Sequence, residues 1–108
     1  MTLVRYGLHI GGQELDSASG RTLESVNPAT GEAWALIQDA TREDVDRAVT
    51  AARAAFAHDA PWRQLSATKR GRLLSRLGDA ILANAERLAA IEVRDNGKLM
   101  KEMHAQLR

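Results

Sequence analysis

Val-Asn-Pro-Ala-Thr-Gly-Glu, residues 26–32, is the stretch on which the fold of this 108-residue chain depends. Pro28 fixes its own φ at about −65° and disfavours the helical region for Asn27. Gly31 supplies a position where a positive φ costs little. Runs typical of β-strands lie on both sides, at 22–26 and 33–37. The stretch therefore predicts a β-hairpin with a long loop, although the turn residues alone are equally compatible with an ordinary surface turn.

A second hairpin is predicted nearer the start of the chain. Residues 8–10 and 13–15 alternate in polarity around Gly11-Gly12, a pair that suits a two-residue hairpin loop. The polar residues 16–20 then form a connector rich in turn-forming types. The sequence thus predicts two β-hairpins within about residues 8–37.

Helices are predicted from about residue 42 to 107, because the hydrophobic period changes from two to nearly four after Thr41. Thr41 and Asp44 have the spacing of a capping box, with a shorter acid in the last place. The first helix is expected to run to about Ala57. Trp62 follows in a short connection, and we expect its side chain to hold that connection against the core.

Two further helices and the start of a fourth are predicted after the connection. Ser66 is a candidate N-cap for the second helix, and Asn84 for the third. Asn96-Gly97 is expected to end the third helix. Residues 99–107 are helical in pattern again, and that pattern reaches Arg108 without a capping residue.

The composition predicts one domain with a thin core. The chain contains 19 Ala, but only 13 Leu, 4 Ile, 5 Val and 1 Phe supply bulk. Alanine favours helices and fills little volume. A length near 108 residues fits a single domain. We therefore expect helical faces that need a further surface to pack against.

Charge and cysteine content exclude several kinds of site within these residues. Cysteine is absent, so the chain carries no disulfide, no thiolate nucleophile and no cysteine-ligated metal.

The net charge of +1 combines an acidic first part with a basic second part. The densest basic cluster, residues 69–76, lacks neighbouring aromatic residues for base stacking, so we expect no nucleic-acid binding. No membrane span or secretory segment is expected, and cytoplasmic localisation is the default.

Six motifs follow one another along residues 8–104. They are His9-Ile10-Gly11-Gly12-Gln13-Glu14, Asn27-Pro28-Ala29-Thr30-Gly31-Glu32, an acidic alanine-rich helix at 44–56, Trp62, Leu65-Ser66 with Arg70, and Asp95-Asn96-Gly97-Lys98. In order and spacing the set resembles the opening of the aldehyde dehydrogenase superfamily. One departure is Leu99 after Lys98, where the family often has proline.

The resemblance implies an α/β parent fold with a Rossmann-like cofactor domain. Residues 1–108 would be the N-terminal part of that domain, two β-hairpins followed by three to four α-helices. The parent protein would oxidise an aldehyde to a carboxylic acid with NAD or NADP, and it would be a homo-oligomer. The family's catalytic cysteine and glutamate lie outside this chain. The chain alone is therefore expected to be inactive, with no catalytic and no cofactor-binding residue of its own.

The resemblance also implies a structural monovalent cation held by the backbone carbonyls of Ser25 and Val26 and by the Asp95 carboxylate. Hard oxygen ligands suit such an ion. A helical angle count independently places Asp95 between Leu88 and Ile91 on the apolar face of its helix. A carboxylate on a buried face must be paired, hydrogen-bonded or bound to a cation. The alternative is a side chain at the end of a helix that projects into water.

Two other functions remain compatible with the sequence. The chain could be a standalone α+β protein-interaction module derived from the same segment. It could also be a small basic nucleic-acid binder, a hypothesis that depends only on residues 69–76. Its three histidines have no spacing that resembles a metal site.

Overall fold

The computed structural model describes residues 3–107. In this range it contains five strands followed by five helices. The elements are β1 (Val4–Arg5), β2 (Leu8–Ile10), β3 (Gln13–Leu15), β4 (Thr22–Asn27), β5 (Glu32–Gln38), α1 (Arg42–Phe56), α2 (Pro61–Gln64), α3 (Ala67–Ala83), α4 (Ala85–Asn96) and α5 (Met100–Gln106). The predicted order of hairpins and then helices is confirmed.

The larger sheet has the strand order β1-β5-β4. Strands β4 and β5 are antiparallel and are joined by the predicted Asn-Pro turn. Strand β1 pairs in parallel with β5, and Val4 lies opposite Ala35. The sequence did not predict β1, because a strand of two residues has no measurable periodicity.

The first hairpin is present as predicted, and it forms a two-stranded sheet of its own. Strands β2 and β3 are antiparallel, and Leu8 lies opposite Leu15. The two loop residues, Gly11 and Gly12, have φ values of 59° and 79°. Positive φ at both positions is the requirement of a type I′ turn, the turn whose twist matches that of the flanking strands.

Helix α1 begins at the predicted capping box. The Thr41 side chain accepts a hydrogen bond from the Asp44 amide, and the Asp44 carboxylate accepts one from the Thr41 amide. The connection after α1 contains the additional short helix α2, with Pro61 at its first turn. Trp62 lies on this helix and is 44% exposed, so the prediction that it holds the connection against the core is wrong.

The ends of α3 and α4 follow the predicted positions with one difference in side-chain use. Ser66 accepts a hydrogen bond from the Lys69 amide at the start of α3. Asn84 occupies the N-cap position of α4, but its side chain donates to the Ala80 carbonyl and so completes the end of α3 instead. Gly97 ends α4 in the left-handed conformation, as predicted.

The described part of the chain has a thin core and a flat shape. Its buried apolar residues are Trp34, Ala35, Ala60, Ala89 and Met103. The radius of gyration is 17.2 Å, whereas a compact domain of this length has about 13 Å. Every residue from 71 to 80 in α3 is exposed. Among the described helices, none is both long and apolar enough to cross a membrane.

Candidate functional site

The Asn-Pro turn is held by hydrogen bonds to Asn27. The Asn27 carbonyl accepts from the amides of Thr30 at 3.2 Å and Gly31 at 2.8 Å. The Asn27 side-chain oxygen accepts from the Ala29 amide at 2.9 Å, which forms an Asx-turn. Gly31 has a φ of 72°, as its position in the turn requires. These local bonds fix the loop that connects β4 to β5.

The C-terminal end of α4 lies against this turn. The Ser25 hydroxyl donates a hydrogen bond of 2.5 Å to Asp95 Oδ1. A Cβ placed on Gly97 would lie 2.8 Å from Cγ of Pro28, so only a glycine fits at this approach. We call these two pairs, Ser25 with Asp95 and Pro28 with Gly97, the turn–helix contact. This contact joins the Asn-Pro turn to the Asp95–Lys98 motif, and Ser25 and Asp95 are 70 residues apart in the sequence.

The surroundings of Asp95 differ from those expected in one respect. Asp95 lies in the last turn of α4 and is exposed, so the prediction of a buried apolar face around it is wrong. A 100° angle count takes no account of which elements cover a helix end. The Ser25 hydroxyl supplies a donor to the carboxylate directly. The approach of α4 to β4 therefore does not by itself require an ion between them.

The other proposed ligands lie where the β4–β5 ladder is irregular. The register of the ladder shifts between Ser25 and Val26, as in a β-bulge. Val26 lies opposite Ala33, and its residue is exposed. A bulge disrupts the regular pairing of backbone groups and re-aims the strand locally. Ser25 and Asp95 lie together in the structure, and Val26 follows Ser25 at the irregular point of the strand.

Trp34 forms the aromatic centre behind the turn, and the sequence analysis did not single it out. Its residue is 8% exposed, and its ring meets that of Tyr6 edge-on at 6.0 Å. The Arg94 guanidinium lies 5.5 Å from the Trp34 ring centroid, a cation–π distance. Trp34 and Arg94 also line a cavity of about 240 Å³ beside the turn. Tryptophan in a strand predicts burial but not its partners, so only the structure reveals this arrangement.

Asp44 is the one buried carboxylate in the part of the chain that the structure describes, with 2% exposure. Besides the bonds of its capping box, it accepts from the Ser17 hydroxyl at 3.0 Å and from the Ala18 amide at 3.1 Å. The Thr41 amide lowers the pKa of Asp44 most. The Ala18 amide and the two hydroxyls lower the pKa further, against the opposing effect of burial. Asp44 therefore ties the connector after β3 to the start of α1.

Comparisons with known proteins decide the family. The sequence model of the aldehyde dehydrogenase family matches residues 15–108. The chain belongs to the aldehyde dehydrogenase family. The human mitochondrial aldehyde dehydrogenase is 51% identical over 83 residues, which are 77% of this chain and 16% of that enzyme.

Solved aldehyde dehydrogenases also have the fold of this chain. The NAD-dependent enzyme from Sinorhizobium meliloti superimposes with a TM-score of 0.92 and 36% identity, over 98% of this chain and 21% of its own. A point mutant of the betaine aldehyde dehydrogenase from Staphylococcus aureus, solved with NAD+, gives a TM-score of 0.89 and 33% identity over 94% of this chain and 20% of its own. The chain therefore spans about a fifth of the length of these relatives.

Within this aldehyde dehydrogenase segment, the described residues hold no cluster of His, Asp or Glu suited to a metal ion. The sequence also contains no cysteine. What the segment does provide is a turn, a helix end and a buried carboxylate, each fixed by hydrogen bonds. These features position the elements of the segment relative to one another.

Proposed function

We propose that this chain forms the N-terminal part of the cofactor-binding domain of an enzyme that oxidises an aldehyde to a carboxylic acid with NAD or NADP. The observation that carries the proposal is the superposition on the Sinorhizobium meliloti enzyme, which covers nearly this whole chain and a fifth of that one. The name of that enzyme supports NAD as the cofactor. The complete protein would be a cytoplasmic homo-oligomer.

In this proposal the chain contributes scaffold and the rest of the protein contributes chemistry. A cysteine thiolate would attack the aldehyde, hydride would pass to the nicotinamide, and a glutamate-activated water would release the acid. The thiolate must come from outside this chain, because the sequence contains no cysteine. The role of residues 1–108 would be to hold the hairpins and covering helices in place through the turn–helix contact.

A chimera tests the function directly. Residues 1–108 replace the matching fifth of the Sinorhizobium meliloti enzyme, and aldehyde-dependent NAD+ reduction is followed by absorbance. We expect activity from the chimera and none from the isolated chain. An inactive chimera that is folded would contradict the proposed function. Cofactor reduction by the isolated chain, abolished by denaturation, would contradict its role as scaffold.

We also propose that the complete protein binds a structural monovalent cation through the carbonyls of Ser25 and Val26 and the carboxylate of Asp95. Support comes from the position of Asp95 beside Ser25 and from the bulge at Ser25 and Val26. All three residues offer hard oxygen atoms, which suit an alkali cation. The ion would neutralise the Asp95 carboxylate at the C-terminal end of α4, where a negative charge is otherwise unfavourable.

The cation proposal is tested by the thermal unfolding of the chimera in potassium, sodium and choline chloride at equal ionic strength. We expect potassium or sodium to raise the melting temperature of the parent chimera. Asp95→Asn should keep the fold and lose this response, because the neutral amide attracts a cation less. Asp95→Ala should also lower the melting temperature in choline, since it removes the bond to Ser25. Equal melting temperatures of the parent in all three salts would contradict the site.

A further inference from the structure

Helix α3 packs little against the rest of the described chain. It has 17 residues and none of them is buried. Gly71 and Gly78 each weaken this helix by about 1 kcal/mol relative to alanine. Of its residues only Arg70, near the start, and Ile81, near the end, are partly buried. Most of the stability of such a helix must come from packing of its side against another surface.

The side chains of α3 divide into two faces. At about 100° per residue, an apolar arc of about 120° runs along one side of the helix. It contains Leu73, Leu74, Leu77, Ala80 and Ile81, with Arg70 in the same arc one turn nearer the start of the helix. We call this arc the leucine face.

A basic flank borders the leucine face on one side. At about 100° per residue, Lys69, Arg72 and Arg76 lie next to the edge of the arc that Ala80 and Leu73 form. None of these three cations makes a salt bridge within residues 3–107. The face thus combines three leucines that are 41% to 57% exposed, Leu73, Leu74 and Leu77, with cations available to an external partner.

We propose that the leucine face is a docking surface for the other four fifths of an aldehyde dehydrogenase fold, and that it fits an apolar groove with carboxylates along one border. This inference rests on the proposed function and adds to it the contact by which the segment is joined to the remainder. The carboxylate border follows from the three cations on one flank. The apolar groove follows from the exposed Leu73, Leu74 and Leu77.

A protein partner is favoured over a membrane by two observations. The superposition on the Sinorhizobium meliloti enzyme covers 98% of this chain, so α3 keeps its position in a protein about five times as long. In addition, the polar side of α3 carries Asp79 and two glycines, and three of its four cations lie on one flank. The fourth, Arg70, donates a hydrogen bond to the Leu65 carbonyl at the start of the helix. Helices that lie in a membrane interface carry a strongly basic polar face and frequently aromatic residues on the other.

The chimera with the Sinorhizobium meliloti enzyme distinguishes the leucine face from the rest of the helix. Leu77 is 56% exposed within the face, and Leu82 is 53% exposed on the opposite side of the same helix. Leu77→Glu should lower the melting temperature of the chimera and its soluble yield, whereas the matched control Leu82→Glu should leave both unchanged. Equal effects of the two variants would overturn the proposal.

The isolated 108-residue chain supplies the second control. Because Leu77 is 56% exposed and no residue of α3 is buried in the described chain, Leu77→Glu should leave the melting curve of the isolated chain unchanged. A loss confined to the chimera therefore reports docking and not a folding defect of the segment. A loss of the same size in the isolated chain would overturn the proposal. If the chimera lacks NAD+ reduction but still distinguishes Leu77→Glu from Leu82→Glu, the proposed function fails and the docking surface stands.

Two measurements on the isolated chain test other occupants. Light scattering would detect a dimer, and sedimentation with phosphatidylcholine–phosphatidylserine vesicles would detect membrane binding. We expect neither dimerisation nor vesicle binding that depends on Leu77. A dimer that Leu77→Glu dissociates and Leu82→Glu does not would assign the face to a second copy. The same selectivity in vesicle binding would assign it to a lipid surface, and either result would overturn the proposal.

Discussion

Gly97→Ala tests the turn–helix contact by adding a single carbon atom where the two motifs meet. Gly97 has a φ of 76°, and a Cβ at this position would lie 2.8 Å from Pro28 Cγ. The proline ring is closed on the backbone, so Cγ cannot rotate away as the end of a long side chain could. Relief therefore requires α4 to move away from the turn.

The expected loss of stability has two parts. An alanine in the left-handed region costs about 1–2 kcal/mol. Overpacking at a tight contact adds about 1–3 kcal/mol. Gly97→Ala should therefore destabilise the chain by about 2–5 kcal/mol. Gly31→Ala is the matched control, because Gly31 has a φ of 72° but nothing within 4 Å of its added Cβ. It should cost only about 1–2 kcal/mol.

The assay is urea unfolding followed by circular dichroism and by tryptophan fluorescence, with midpoints compared among variants. A double-mutant cycle with Pro28→Ala isolates the steric part. Pro28→Ala removes Cγ and leaves only the Cβ contact at 3.6 Å, an ordinary van der Waals distance. Gly97→Ala should therefore cost less in the Pro28→Ala background, by about 1–3 kcal/mol. Equal costs of Gly97→Ala and Gly31→Ala, or no relief by Pro28→Ala, would refute the packing described for the turn–helix contact.

Three further predictions concern the isolated chain. Asp44→Asn should lower the urea midpoint at neutral pH, because the amide presents a donor group to the donors that now bind the carboxylate. The folded-state pKa of Asp44 is lowered, so its stabilisation is complete above about pH 4 and is lost as the pH falls through the lowered value. The difference in urea midpoint between Asp44→Asn and the parent chain should therefore become smaller as the pH is lowered. A difference that stays the same at all pH values would contradict this prediction. The chain should bind a dye specific for apolar surface, and a cooperative melt at high temperature without dye binding would count against the exposed leucine face. Duplex DNA should show no shifted band near physiological salt, and a shift at that salt would favour binding by residues 69–76.

Features determined by neighbouring residues could be predicted from the sequence. The Gly11-Gly12 turn, the Thr41–Asp44 capping box and the end of α4 at Gly97 each depend on a few consecutive side chains. The rules for caps and turns describe these local energies directly. The hairpins and the four longer helices therefore lie close to their predicted positions.

Features determined by distant contacts were harder to predict. The exposure of Trp62 and Asp95 depends on which elements cover α2 and the end of α4, and no local pattern contains that information. The bonds from Ser17 and Ala18 to Asp44 cross 27 and 26 residues. The capping-box pattern predicts the hydrogen bonds between Asp44 and the start of α1. It does not predict that a distant loop donates further hydrogen bonds to the same carboxylate. The proximity of Ser25 and Asp95 came from the family resemblance and not from a local rule.

The separation of Ser25 and Asp95 along the chain also has a kinetic consequence. The two residues are 70 positions apart, whereas the hairpins join residues that are close in sequence. Closing a long loop costs entropy before the contact stabilises anything, so local hairpins and helices form earlier than such a contact. Interactions absent from the transition state govern the rate of unfolding more than the rate of folding. Weakening the turn–helix contact should therefore shorten the lifetime of the folded chain and leave its refolding rate nearly unchanged.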